Sequence, residues 1–277
     1  MIIYINNAFA KASFVLLMLF ASIECMAEGS IPVSKYAVDL GLPSGTLWAD
    51  RNVGANRPED NGDFFAWGEI KPKSTFDWST YMWFDAVDST MIKYSPNIVV
   101  KRANRWCIFV PNSDTIRINI HTNSRTVEYG ADISFSGSDT PIIKLYPGIS
   151  VYEKYYNKTV LDVEDDAATA NMGKEWRMPT EADLRELLDK CTWTWTTQKG
   201  TNGYQVTGPN GNSIFLPAAG CHDVDSYGKS GSVAYYWTAT LNESFSSEAV
   251  ILSFARSGFT ISGSLRCRGI SVRAVVR

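Results

Sequence analysis

The feature that most constrains this chain is a helix start at residues 176–184 (WRMPTEADL). Thr180 can cap the first turn, and Asp183 can reach back to the backbone of Thr180 in a capping-box arrangement. The apolar residues that follow at i, i+3, i+4 and i+7 share one helical face: Leu184, Leu187, Leu188 and Cys191. The stretch therefore predicts an amphipathic helix over residues 180–191.

Most of the remaining sequence has the pattern of short strands and turns. A second helix is predicted over residues 162–171, with acidic residues in its first turn and Gly173 just past its end. Apolar and polar residues alternate on both sides of a turn at residues 208–212, which predicts a hairpin over residues 204–216. Residues 250–261 likewise flank a turn at residues 256–258 and predict a second hairpin. Residues 272–276 predict a terminal strand.

Residues from about 96 to 148 differ in composition from their surroundings. They contain no Leu before Leu145 and few aromatic residues, while residues 115–120 and 133–136 alternate between apolar and polar. This pattern indicates a β-rich insertion of roughly 50 residues.

The first 27 residues have the features of a secretory signal. Residues 12–23 are almost all apolar, a length typical of a signal core and too short to span a bilayer. Small residues at Cys25 and Ala27 favour cleavage after Ala27. Lipidation at Cys25 and a retained anchor are the alternatives, although the charged Glu24 directly before Cys25 is unfavourable for lipidation. We therefore expect the protein to be secreted or on the cell surface.

The overall charge limits the classes of partner that the sequence predicts. The formal net charge is −3, with lysines and arginines scattered along the chain, which argues against a nucleic-acid surface. Beyond the signal, no segment is apolar enough and long enough to insert into a membrane.

Three blocks together resemble a known family, the Fibrobacter succinogenes major paralogous domain. The first comprises residues 38–49 (VDLGLPSGTLWA), 52–55 and 65–69; the second comprises 176–181 and 191–195; the third comprises 215–220 (FLPAAG), 235–240 (YYWTAT) and 271–273. The resemblance covers residues 38–94 and 155–277 in matching order and spacing.

The resemblance implies an α+β chain with a C-type-lectin-like fold, in which two helices flank a twisted, mostly antiparallel sheet with long loops. Residues 28–277 would then form a single domain that carries the β-rich insertion. A more distant similarity is to the formylglycine-generating enzymes, which need a redox-active, copper-binding cysteine pair near the C-terminus. Here Cys267 has no second cysteine a few residues away.

The sequence gives little support for catalysis. It contains two histidines, no G-x-S-x-G, no G-x-G and no H-E-x-x-H. We therefore expect a non-enzymatic protein without a cofactor.

Candidate ligand-binding residues fall into two groups. Trp193 and Trp195 alternate on one strand and so point the same way, an arrangement suited to stacking on sugar rings. The other aromatic candidates are Tyr204, Tyr235 and Tyr236, and packing in the core is the alternative role for all five. Tyr235 and Trp237 should share a strand face, with Tyr236 on the other.

The second group is the loop at residues 222–228 (HDVDSYG), in which His222, Asp223 and Asp225 are the candidate ligand-binding residues. The loop matches only part of a calcium loop, because Ala234 stands where the twelfth-position Glu would be. A solvated turn is the alternative, and no metal site is predicted.

The cysteines leave several pairings open. After signal removal the chain retains Cys107, Cys191, Cys221 and Cys267. A disulfide between Cys221 and Cys267 is the favoured pairing, two free buried thiols are the alternative, and a catalytic or metal-binding pair is a third. Whether Cys107 and Cys191 pair stays open.

The sequence thus predicts a secreted or cell-surface binding or adhesion module, with a glycan or a host or cell-surface protein as its partner. The alternatives are a formylglycine-generating type of oxidase and a structural pilus-tip or envelope component. The ligand, the oligomeric state and the role of the insertion are not set by the sequence.

Overall fold

The computed structural model describes residues 33–86, 90–94, 98–102, 105–109, 118–122, 125–129, 132–135, 141–144, 149–151, 158–223, 226–228 and 230–276. The predicted signal at residues 1–27 and the candidate residue Asp225 lie outside these ranges.

Within these ranges the chain forms short helices and many strands. The helices are α1 (Val33–Tyr36), α2 (Ala167–Met172) and α3 (Glu181–Lys190), and a 3-10 turn spans Val163–Asp165. The first strands are β1 (Ala37–Val38), β2 (Leu47–Asn52), β3 (Phe64–Phe65), β4 (Phe84–Asp85) and β5 (Thr90–Met91). Then come β6 (Ile98–Arg102), β7 (Arg105–Phe109), β8 (Ile118–Thr122), β9 (Arg125–Tyr129), β10 (Asp132–Phe135), β11 (Pro141–Lys144) and β12 (Ile149–Val151).

The second half of the chain supplies the longer strands: β13 (Thr192–Gln198), β14 (Thr201–Thr207), β15 (Ser213–Pro217), β16 (Cys221–Asp223), β17 (Ser226–Gly228), β18 (Val233–Leu241), β19 (Glu248–Ala255), β20 (Gly258–Leu265), β21 (Ile270–Ser271) and β22 (Arg273–Val276). The fold class is therefore α+β, with many strands in mostly antiparallel sheets and few helices, as predicted. None of the described helices has the length and apolar character that a bilayer span requires.

A five-stranded sheet in the order β20-β19-β18-β21-β3 forms the centre of the molecule. Its pairings are antiparallel except for the parallel contact between β18 and β21. Strand residues alternate between the two faces, and β18 and β19 carry buried apolar residues on both, so these two strands are covered on both sides.

The two longer helices pack on opposite faces of this sheet. On one face, α2 contributes to what we call the α2 core, which includes Ala168, Met172, Trp237 and Ile251. On the other face, α3 contributes to the α3 core, which includes Leu184, Leu187, Tyr236, Leu252 and Phe254. The sequence prediction that Trp237 and Tyr236 occupy opposite strand faces is confirmed.

Two further sheets pack against this arrangement, one on the α3 side and one that contributes to both cores. The antiparallel sheet β13-β14-β15 lies over the central sheet, with the rings of Tyr204 and Phe254 5.2 Å apart. The C-terminal strand β22 pairs with β2, which in turn pairs with β1. The predicted hairpins at 204–216 and 250–261 and the predicted terminal strand are confirmed.

Between residues 98 and 151, the described residues all lie in strands. They make the sheets β12-β6-β7, β8-β9 and β10-β11. Strands at Ile118–Thr122 and Asp132–Phe135 fall where the sequence alternates between apolar and polar residues.

The helix predicted at residues 162–171 is divided. Asp166 has an extended backbone, and its side chain accepts from the N–H of Thr169 and so caps α2. Its other oxygen accepts from the N–H of Met178 at 2.8 Å. The chain therefore breaks at Asp166 because its carboxylate joins two segments, and the first turn becomes 3-10.

The capping box at α3 is confirmed. Thr180 Oγ1 accepts from the N–H of Asp183 at 3.3 Å, and the Asp183 carboxylate accepts from the N–H of Thr180 at 2.8 Å. Arg177 Nη1 also donates to this carboxylate at 2.8 Å. Burial acts to raise the pKa of Asp183, but the hydrogen bonds from Arg177 and Thr180 outweigh it and hold that pKa below its ordinary value.

Asp183→Asn is expected to lower the free energy of unfolding at pH 7 by about 1–3 kcal/mol, because it removes a charge that three groups stabilise. Since the folded-state pKa is lowered, this stabilisation is present above the unfolded pKa of about 3.9 and is lost as pH falls through the folded value. The difference in stability between the variant and the natural protein, measured by urea unfolding, should therefore shrink as the pH falls below the unfolded pKa. Asp189→Asn, on the exposed face of α3, is the control. An equal loss of unfolding free energy in the two variants would contradict this role of the Asp183 carboxylate.

Candidate binding groove

An open groove of about 380 Å³ lies at one end of the central sheet. It is formed by the start of β18, the end of β19 and the start of β20. Its lining residues are Val233, Tyr235, Ser253, Phe254, Ala255, Ser257, Gly258, Phe259 and Thr260. The volume falls within the range of small-molecule sites in proteins, about 300–1,000 Å³.

Strand register brings the groove residues together. Tyr235 pairs with Ser253, and Ser253 pairs with Thr260, so these three side chains stand in a row on one sheet face. Val233, Ala255 and Gly258 form the next row on the same face, one step closer to the hairpin turn. The small residues of this second row leave the space that the first row borders.

Gly258 keeps the hairpin end of the groove open. Its φ of 143° lies in a region that side chains disfavour, and a Cβ built at this position would meet nothing within 4 Å. The glycine is thus required by backbone conformation at the turn and not by a close neighbour.

The lining has a particular chemical character. Ser253, Ser257 and Thr260 provide hydroxyl groups, and Tyr235 provides an aromatic ring on the same face. Phe259 borders the groove from the opposite strand face, where its ring lies 5.1 Å from the ring of Trp193. None of the lining residues is acidic, basic or histidine. Such a lining suits a neutral ligand that has both hydroxyl groups and an apolar surface.

The predicted pair Trp193 and Trp195 lies on the opposite side of the sheet from this row. Both side chains share one face of β13, as the alternation predicts, and both are half-buried. Their rings lie 5.5 and 5.2 Å from the ring of Tyr204, in edge-to-face contacts. Trp193 Nε1 also donates to the carbonyl of Leu187 at 3.2 Å. The two indoles therefore pack as a covering layer over the α3 core, of which Tyr204 is a buried member.

The other two tyrosines separate. Tyr236 is buried in the α3 core, where its hydroxyl donates to the carbonyl of Pro217 at 2.8 Å, and burial raises its pKa to about 12. Tyr235 is half-buried and lines the groove. Of the five aromatic candidates, Tyr235 is therefore the one that the structure places at the groove.

The loop that contains His222 and Asp223 lies elsewhere. The His222 ring is in contact with Phe64, with centroids 4.6 Å apart, and with Phe76, and burial lowers the pKa of His222. Asp223 accepts from Arg268 at 2.9 Å. A cation beside Asp223 disfavours a second cation, so the structure adds no support for calcium binding by this residue. Neither residue lines the groove.

The predicted Cys221–Cys267 disulfide is not formed, and no other disulfide occurs among the described cysteines. A bridge pairs His222 with Gly269, while Cys267 lies in the turn between β20 and this bridge. Burial raises the pKa values of Cys191 and Cys267 to about 11, which keeps both as thiols. Cys107 lies on β7, whose side chains are outside the described set.

One group of carboxylates in the described part of the chain has spacing suited to a metal ion. Oxygens of Asp162, Glu164 and Asp165 lie within 4.8 Å of one another. However, Lys158 Nζ donates to Asp162 at 2.7 Å, and Lys93 and Tyr94 contact Asp165. The chain's own donors thus already use two of the three carboxylates.

Two features were missed by sequence reasoning. The sequence predicts only a hairpin for the groove residues Ser253, Thr260 and Phe259. Single residues of these types on a strand do not indicate a binding site. Arg266 was also missed; it is fully buried and donates to Tyr81 and to three carbonyl groups.

Comparison with known proteins adds nothing to this description: no family model, curated protein or solved structure matches the chain. The resemblance carried by residues 38–94 and 155–277 accordingly remains a prediction.

Proposed function

We propose that this chain is a secreted or cell-surface, non-enzymatic binding module with a C-type-lectin-like fold, and that the groove binds a neutral glycan. The observation that carries the proposal is the lining of the groove, which combines the aromatic ring of Tyr235 with hydroxyl groups and has no charged side chain. The placement of two helices on opposite faces of an antiparallel sheet supports the fold assignment. The apolar N-terminal segment supports export.

A sugar ring matches this lining in two ways. Its C–H faces are apolar and pack against aromatic rings, and its hydroxyl groups exchange hydrogen bonds with serine and threonine. Charged sugars fit less well, because a carboxylate or sulfate entering the groove would lose water without gaining a cationic partner. The proposal therefore specifies neutral glycans and disfavours acidic ones.

A glycan array probed with residues 28–277 tests this proposal. We expect binding to a subset of neutral oligosaccharides, and weaker or no binding to sialylated and sulfated ones. Absence of any glycan signal above background, or binding restricted to acidic glycans, would overturn the proposal. A parallel pull-down from cell-surface proteins identifies the alternative partner class.

Tyr235→Ala is expected to weaken binding of the best neutral glycan by about 10- to 100-fold, because it removes the aromatic wall of the groove. Thr260→Val, which keeps the side-chain volume and removes one hydroxyl, should weaken it by about 5- to 20-fold. Isothermal titration calorimetry measures both. The matched control is Phe245→Ala, which removes an aromatic side chain that is 61% exposed in the loop at the other end of β18 and β19. A loss of binding in the control equal to that in Tyr235→Ala would contradict the site.

A further inference from the structure

Strand β20 is the outermost strand of the central sheet. Among the residues that the structure describes, it is paired with β19 alone, through eight successive residue pairs from Ala255–Gly258 to Glu248–Leu265. An outermost strand presents alternate N–H and C=O groups away from its sheet, ready to pair with another extended chain. Phe259, Thr260 and Ser262 on this strand are exposed.

Nothing on β20 discourages such pairing. Its sequence, GFTISGSL, has no charged residue and no proline. Its pairing with β19 has no register shift, unlike the pairings of β18 with β19 and of β2 with β22. Proteins that protect their sheet edges place lysine, proline or bulges there. The outer edge of β20 therefore has the chemistry of a strand-addition site.

The sequence of β20 is also complementary to itself in an antiparallel arrangement. Phe259, Ile261 and Leu265 lie on one face of the strand, and Thr260, Ser262 and Ser264 on the other. Of the two-fold registers that keep the faces matched, two are centred near the middle of the strand. In one, Ser262 lies opposite its symmetry mate and Phe259 opposite Leu265; in the other, Ile261 lies opposite its symmetry mate and Thr260 opposite Ser262.

We propose that β20 pairs antiparallel with β20 of a second copy of this chain and forms a symmetric dimer with a continuous sheet. Apolar residues meet apolar residues or glycine on one face, and hydroxyl residues meet hydroxyl residues on the other. No charges are buried or brought together within the paired strands. The contact is isologous, so it closes at two copies and does not propagate into a fibre.

The dimer has a consequence for binding. The two-fold axis of an antiparallel strand pair is perpendicular to the sheet, so both copies present the same sheet face on the same side. Thr260 and Ser262 lie on the face that carries the groove, which means that both grooves open toward the same side. A surface that displays repeated ligands would then be bound through two sites at once, with a gain in avidity.

Sedimentation velocity over a concentration series tests the dimer with residues 28–277. We expect the natural protein to shift from one copy to two as concentration rises from about 1 μM to about 1 mM. Ser262→Lys places like charges near each other in either register and should weaken association at least 10-fold, without a change in thermal unfolding. The matched control is Ser244→Lys, an exposed position in the loop between β18 and β19, which should leave association unchanged.

Amide hydrogen exchange at low and high concentration gives a second readout. Concentration-dependent protection confined to residues 258–265 supports the dimer. A natural protein that stays as one copy throughout the series, or a dimer that Ser262→Lys does not weaken, overturns the proposal. Glycan binding by one copy is measured separately at low concentration, so failure of the dimer and failure of the glycan site are distinguishable.

Discussion

Arg273→Met is expected to lower the free energy of unfolding by about 3–5 kcal/mol. Arg273 is 1% exposed and donates to Asn52 Oδ1 at 3.0 and 2.8 Å, to the carbonyl of Ala49 at 3.0 Å and to the carbonyl of Phe215 at 2.8 Å. Methionine fills much of the same space but donates to none of these oxygens. Three buried acceptors then lose a partner, and each such loss costs about 1–3 kcal/mol.

The effect is large because the guanidinium forms no ion pair with a carboxylate in the described part of the chain and donates its hydrogen bonds to neutral oxygens. Burial lowers the pKa of Arg273 to about 10, against a smaller opposing effect of Asp50, so the group is still charged at neutral pH. Those oxygens belong to β2 and β15, which Arg273 joins to β22. Urea unfolding followed by tryptophan fluorescence measures the loss. A loss below about 1 kcal/mol would contradict this role.

Arg266→Met is expected to destabilise the protein by a similar amount, about 3–5 kcal/mol. Its Nε donates to the hydroxyl of Tyr81 at 2.9 Å, and its two Nη atoms donate to the carbonyls of Lys93, Tyr94 and Ser246 at 2.9–3.2 Å. The guanidinium also lies over the ring of Trp67, 4.7 Å from its centroid. The substitution removes both the hydrogen bonds and the cation–π contact.

Arg256→Met is the control for both substitutions, since Arg256 is exposed in the turn between β19 and β20. It should change the free energy of unfolding by no more than about 0.5 kcal/mol. The two buried arginines share no hydrogen-bond partner, so their losses should add within about 0.5 kcal/mol in a double variant. A control loss as large as those of the buried sites would show that charge removal, and not buried acceptors, causes the effect.

The local parts of the fold could be predicted from the sequence. The capping box of Thr180 and Asp183, the hairpin turn at residues 208–212 and the opposite orientations of Tyr236 and Trp237 all depend on residues close together in the chain. Sequence periodicity reports these relations directly. The break at Asp166 was missed because the carboxylate also binds Met178, twelve residues away, and spacing within a helix gives no sign of such a contact.

The candidate site was harder to predict because alternation shows which residues share a strand face, but not what that face packs against. It showed that Trp193 and Trp195 share a face, yet it could not show that this face packs on Tyr204 and Phe254. The groove depends on strand register, which aligns Tyr235, Ser253 and Thr260 from three strands. Likewise, the acceptors of Arg266 come from three distant segments, so its burial could not be read from neighbouring residues.

The central claim is that the groove between Tyr235 and Thr260 binds the ligand, while Trp193 and Trp195 serve packing. An amide NMR titration of isotopically labelled protein with the neutral oligosaccharide that binds best on the array tests this most directly. The account predicts saturable shifts that concentrate in residues 233–235 and 253–260. Shifts concentrated in residues 193–204, or in the strands between residues 98 and 151, would contradict it.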